Sequence, residues 1–134
     1  MPFNALPKST LLMPTPGNAT SKHLYVVLTP HHGNPPRVVV VNVSTKQEKS
    51  DCTTILYAGE HPFLKNPESI IRYDQAQLVE AGALVNAVNS SHHFQHQADV
   101  SDNVYQKIIN GLMSSDETPV EIQTYCQQFF PPTP

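Results

Sequence analysis

Cysteine is scarce in this chain of 134 residues, and what little there is does not pair by motif. Cys52 and Cys126 are too few for a disulfide framework, so a reducing cytoplasm is the expected compartment. No C-x-x-C pairing occurs, which excludes a zinc ribbon. Charge is also scarce, at 14% of residues, and the formal net charge is −3 with histidine neutral. That balance argues against a broad basic surface for duplex nucleic acid and leaves room only for a small, local basic site. No apolar run approaches the roughly 18 residues that would span a bilayer, so no membrane partner is expected. Met1 to Lys8 lacks a basic region followed by a continuous apolar stretch, and no signal peptide is read there.

What the chain does have is proline, histidine and short β-branched runs. Its length suits a single domain over residues 1–134, with residues 1–8 and 128–134 expected as flexible ends. Thirteen prolines cluster at segment ends and suggest short strands with hard stops. Ser9–Met13 reads as a first strand and Lys22–Thr29 as a second, ended by Pro30. Arg37–Ser44 is the strongest strand, and its four consecutive valines imply a central position with both faces covered. Thr53–Tyr57 and Ala83–Val88 read as two more strands. Val100, Val104, Ile108 and Leu112 recur every four residues, which predicts an amphipathic helix capped by Asp99 or Ser101. Val120–Tyr125 alternates as a short strand would. Phe129 and Phe130 either fold back on the core or join an interface.

The stretch Glu68–Val79 alternates polar and apolar residues and reads as a strand. Positions two apart share a face, so Arg72 and Asp74 stand side by side, opposite Ile71 and Tyr73. A cation beside a carboxylate suits recognition of a phosphate and proton transfer near it; it equally suits an ion pair on a solvated strand face. Together these elements predict a mainly β, α+β fold: a small antiparallel barrel of five or six strands with a C-terminal amphipathic helix.

The order of elements resembles the MazF/PemK (also called Kid) toxin family, within the superfamily of CcdB/PemK SH3-like barrels. Three segments carry the resemblance. Lys22-His-Leu-Tyr-Val-Val-Leu is similar to that family's Arg-Pro-Val-Leu-Val-Ile strand. Val38-Val-Val-Val-Asn-Val-Ser-Thr-Lys-Gln47 resembles its next strand, which ends in Thr or Ser and then Gln. Ser69-Ile-Ile-Arg-Tyr-Asp-Gln75 is similar to its strand leading to an acidic residue and Gln, with the Arg-x-Asp-Gln of the PemK branch. The resemblance spans roughly residues 9–115.

The resemblance implies an SH3-like barrel and metal-independent cleavage of single-stranded RNA, without cofactor, by a homodimer held inactive by an antitoxin protein. In such cleavage the ribose 2′-hydroxyl attacks the adjacent phosphorus, which requires a base, an acid and donors to the phosphorane. On this reading Asp74 is the base, Arg72 stabilises phosphate charge, Ser44 donates a hydrogen bond, and Lys22 occupies the place of a catalytic Arg. Lys22, His23, Gln75 and His61 are the candidate RNA contacts. The departures are Lys22 for Arg, His23 for Pro, a short loop from Pro14 to Ser21, and Gln77 where the family has a further Arg. A lysine lacks the guanidinium fork, so several phosphate contacts are missing.

Two rivals stand beside this reading. One is a catalytically inactive PemK-like barrel that serves as a protein-binding or accessory module; the absence of Trp gives no match to the gyrase-binding end of CcdB toxins. The other is a metal site at His92, His93 and His96, two of which are four residues apart.

Overall fold

The computed structural model describes residues 3–15, 18–90 and 94–131, with side chains described outside residues 15–22. Among the described residues, six strands form one antiparallel sheet: β1 (Thr10–Thr15), β2 (Asn18–Val27), β3 (Arg37–Thr45), β4 (Ile55–Tyr57), β5 (Glu68–Glu80) and β6 (Gln95–Gln97). Their order is β4-β5-β3-β2-β1-β6. The helices are α1 (Ala81–Ser90), α2 (Asp102–Ser114) and α3 (Val120–Cys126).

The valine run explains the layering. β3 lies between β2 and β5, and its valines are almost wholly buried. Val39, Val41 and Val43 face one core with Val104, Ile108 and Leu112 of α2 and Ile122 and Cys126 of α3. Val38 and Val40 face a second core with Phe3, Ala5, and Ala81 and Leu84 of α1. The sheet is thus covered on both sides, as the unbroken valine run requires. Phe3 and Ala5 lie in the stretch expected to be a loose lead-in, yet both are buried against the sheet.

The sheet is curled into a half-barrel. β4 and β6 are its opposite edges, yet the turn after β4 reaches the residue after β6: His61 Nε2 lies 2.6 Å from the Ala98 carbonyl oxygen.

Two expected strands are helices. Ala83–Val88 lies in α1, because Ala81, Leu84, Val85 and Val88 follow helical spacing and turn together onto the second core. Val120–Tyr125 lies in α3: Pro119 sits at its N-cap, and Ile122 and Cys126, four apart, meet the first core. The predicted C-terminal helix is α2, and Ser101 caps it through an N–H donated by Val104. Phe130 packs against the first core.

Candidate functional site

The second face of the sheet changes character along its length. At one end Tyr25, Val27, Val38 and Val40 are sealed under Phe3, Ala5 and α1. At the other end the same strand faces carry His23, Asn42, Ser44, Arg72 and Asp74 by the two-residue alternation of β2, β3 and β5. Among the described residues no helix covers that end. There a cleft of about 490 Å³ opens, with Ile70 as an apolar patch of floor and Ser44, Arg72 and Asp74 around it. Asp51, Lys49 and Glu117 complete the wall from the β3–β4 and α2–α3 loops.

A bulge in β5 shapes the site. Between the register pairs Asn42–Arg72 and Val40–Gln77, β3 advances two residues while β5 advances five. The extra residues fall at Tyr73–Ala76 and leave Asp74 and Gln75 exposed. Bulges of this kind re-aim side chains beside functional clefts. Gln75 turns to Asn42, whose Nδ2 donates to Gln75 Oε1 at 2.8 Å. Ser44 Oγ donates to Asn42 Oδ1 at 3.0 Å, so the buried Asn42 ties Ser44 to the bulge.

Arg72 and Asp74 form a two-pronged pair. Nε donates to Oδ1 at 2.9 Å and Nη2 to Oδ2 at 2.7 Å. The hydrogen bond with Arg72 holds the Asp74 carboxyl below the usual carboxylate range, and the same bond raises the arginine. Asp74 is therefore a weak proton acceptor at neutral pH. His23 sits across the floor. Its Nδ1 lies 3.3 Å from the Val43 carbonyl oxygen and 3.4 Å from Ser44 Oγ. A proton on Nδ1 satisfies the carbonyl and leaves Nε2 with its lone pair.

The loop wall is fixed from α2. Ser115 Oγ donates to Asp51 Oδ2 at 2.6 Å, and the Thr53 N–H donates to Oδ1 at 2.9 Å. Burial works against the charge on Asp51, but the bonds from Ser115 and Thr53 outweigh it and hold its carboxyl low. Desolvation and the charges of Asp51 and Asp74 push Glu117 the other way, above the usual range. The cleft wall thus sets three carboxylates against Arg72 and Lys49.

The structure brings four of the sequence-predicted residues together: Arg72, Asp74, Ser44 and His23. Gln75 is engaged by Asn42 beneath. The Lys22 side chain lies outside the described residues; its backbone pairs with Pro14 in the β1–β2 ladder. His61 is not in the cleft. It is buried, accepts the Phe63 N–H at Nδ1 (3.0 Å) and meets Ala98 through Nε2. Sequence reasoning missed Asp51, Lys49 and Glu117, which come from loops with no periodicity. Asn42 was findable: it interrupts the valines two residues before Ser44.

Among the described residues, no three His, Cys, Asp or Glu side chains converge so as to hold a metal ion. His92 and His93 lie outside the described residues, and His96 stacks edge-on against Phe3 at 5.3 Å. No helix among the described residues is long and apolar enough to cross a membrane. Neither a family model nor a curated protein matches the chain.

Proposed function

We propose that this chain is a toxin-type endoribonuclease that cleaves single-stranded RNA without a metal ion, on a diverged SH3-like barrel of the MazF/PemK kind. The observation that carries the reading is the Arg72 guanidinium, oriented by Asp74, in one cleft with His23 and Ser44. His23 Nε2 takes the proton of the 2′-hydroxyl as its oxygen attacks phosphorus. Arg72 stabilises the charge that develops on the phosphorane, and Ser44 hydrogen-bonds to it. The P–O5′ bond breaks, and the 5′ oxygen takes a proton from water. Asp74, the base on sequence grounds, becomes the residue that positions Arg72, since its carboxyl is held too low to serve as a good base. The antitoxin partner, the homodimer and the cytoplasmic setting belong to this proposal.

The test is incubation of the purified protein with mixed-sequence single-stranded RNA in EDTA, beside Arg72→Ala and His23→Ala. The expected result is cyclic phosphate ends, lost in both folded variants. A folded wild type that leaves the RNA intact sinks the reading. One observation favours the catalytically silent protein-binding module instead: Asp74 already occupies two N–H groups of Arg72. That module predicts no cleavage and indifference to Arg72→Ala.

A further inference from the structure

The cleft does not end at His23 and Ser44. A second hollow of about 230 Å³ shares His23, Ser44 and Thr45 with it, and adds Phe63, Lys65 and Asn66. Phe63 is 38% exposed, while His61 and Leu64 on the same turn are buried. The turn is anchored on both sides. The Phe63 N–H donates to His61 Nδ1 at 3.0 Å, the Leu64 N–H donates to the His61 carbonyl at 2.9 Å, and His61 is itself tied to Ala98. An aromatic ring is therefore held at the surface by a fixed backbone. Among the described residues Lys65 in the hollow and Lys49 in the cleft have no ion-pair partner, whereas Lys46, three residues before Lys49, is paired with Glu68.

Anchored rings beside unpaired cations are what a single nucleic-acid strand requires: the ring takes a base face and the cations take phosphates. We propose that Phe63 is a stacking platform for the nucleobase next to the phosphodiester held in the cleft, with Lys65 on a flanking phosphate. This rests on the ribonuclease reading of the cleft. It adds a second subsite, so that the substrate is recognised as a strand rather than as an isolated phosphodiester.

The chain has no Trp, so Phe63→Trp creates a single fluorescent reporter. A short dye-labelled 2′-deoxy oligonucleotide lacks the attacking hydroxyl and reports binding without cleavage. Dye anisotropy follows binding and Trp emission follows stacking. The expected result is saturable quenching in parallel with the anisotropy, and binding about tenfold weaker in Phe63→Leu. An oligomer with abasic sugars should bind Phe63→Trp weakly and without quenching. Binding that Arg72→Ala removes, but that neither quenches Trp nor weakens in Phe63→Leu, overturns the platform and leaves the cleft standing. No binding by the folded wild type and folded variants overturns both. Thermal melts establish folding of each variant, and the leucine variant decides the matter if the tryptophan variant does not fold.

Discussion

Asp74 grips Arg72 from two positions along the same strand, with one carboxylate oxygen on Nε at 2.9 Å and the other on Nη2 at 2.7 Å. The fork is thereby fixed in plane and direction. Its remaining N–H groups are free of Asp74 and available to an anion. In the proposed reaction the pair divides labour between a cation that meets charge and an acid that aims it.

Replacing Asp74 by Asn keeps one acceptor and removes the second prong. Single-turnover RNA cleavage should fall by about 10–100-fold through misplacement of Arg72. Replacing Arg72 by Lys keeps charge but loses the fork, and the fall should be larger, on the order of 10²–10³. A fall for Asp74→Asn as deep as that for His23→Ala would return the base to Asp74.

The same carboxylates set the acid limit of stability. Asp74 and Asp51 are both held lower in the folded chain than in the unfolded one. Their contribution is complete above the unfolded value, near about 3.9, and is lost as pH falls through the lower folded values. Glu117 is shifted upward, so it favours the folded state at low pH and loses that effect as pH rises. Urea melts should show stability declining below about pH 4, and the decline should flatten in the Asp51→Asn/Asp74→Asn double variant. The Arg72–Asp74 side chains are 40% exposed, so their pair accounts for at most about 1 kcal/mol of it.

At Gly111, α2 packs directly on Tyr73 of β5 and on Thr54. A Cβ there would overlap Thr54 Oγ1 and Tyr73 Oη. Those two hydroxyls are 2.7 Å apart, and Tyr73 gives its proton to the Ile108 carbonyl at 2.8 Å, so Thr54 donates to Tyr73. Gly111→Ala should destabilise by about 1–3 kcal/mol despite the better helix propensity of alanine, as measured by urea unfolding. Tyr73→Phe should cost about 1–3 kcal/mol by removing the hydroxyl that links Thr54 to the Ile108 carbonyl.

The sequence showed the strands better than their irregularities. Period two in β5 placed Arg72 and Asp74 side by side on a face that lines the cleft, the resemblance pointed to Ser44, and the valine run placed β3 at the centre. It did not show α1. Val85 and Val88 suit strands and the segment is short, so the helical spacing of Ala81, Leu84, Val85 and Val88 becomes decisive once they meet Phe3 and Ala5 on the second core. It did not show the bulge at Tyr73–Ala76: the adjacent polar residues Asp74 and Gln75 break strict alternation there, but the register slip itself is defined only against β3. Gly111 is buried against Tyr73, which nothing in the helical pattern of α2 announces. Asp51 and Ser115 meet across 64 positions, a proximity that no local pattern carries.

That last contact joins the cleft wall to the end of α2, and it is separable from the chemistry. Ser115 is buried, donates to Asp51 and accepts the Glu117 N–H at 3.1 Å. A double-mutant cycle of Ser115→Ala and Asp51→Asn should give a coupling of roughly 0.5–3 kcal/mol by urea unfolding. Cleavage should weaken mainly through KM, because the loop carrying Lys49 loses its anchor while Arg72 and His23 keep theirs. A fall in kcat with KM unchanged would instead place Asp51 among the groups that act on the transition state.

A different contact bridges the two edges of the curled sheet. Ala98 carbonyl oxygen accepts from Thr10 Oγ1 at 2.7 Å and lies 2.6 Å from His61 Nε2. Since His61 Nδ1 accepts the Phe63 N–H, the ring proton is on Nε2 and is donated to Ala98. One imidazole therefore closes the distance between the two sheet edges and sets the turn that carries Phe63. His61→Ala should cost about 2 kcal/mol or more, since it leaves a buried N–H unpaired and opens a cavity. Amide hydrogen exchange should rise first at Phe63 and along the β1–β6 ladder, with Leu12 and Gln97 as reporters. Thr10→Val removes only the other donor to Ala98, so it should loosen β6 and leave the Phe63 amide protected. If both variants loosen both regions alike, the half-barrel opens as one unit and His61 is not its separate latch.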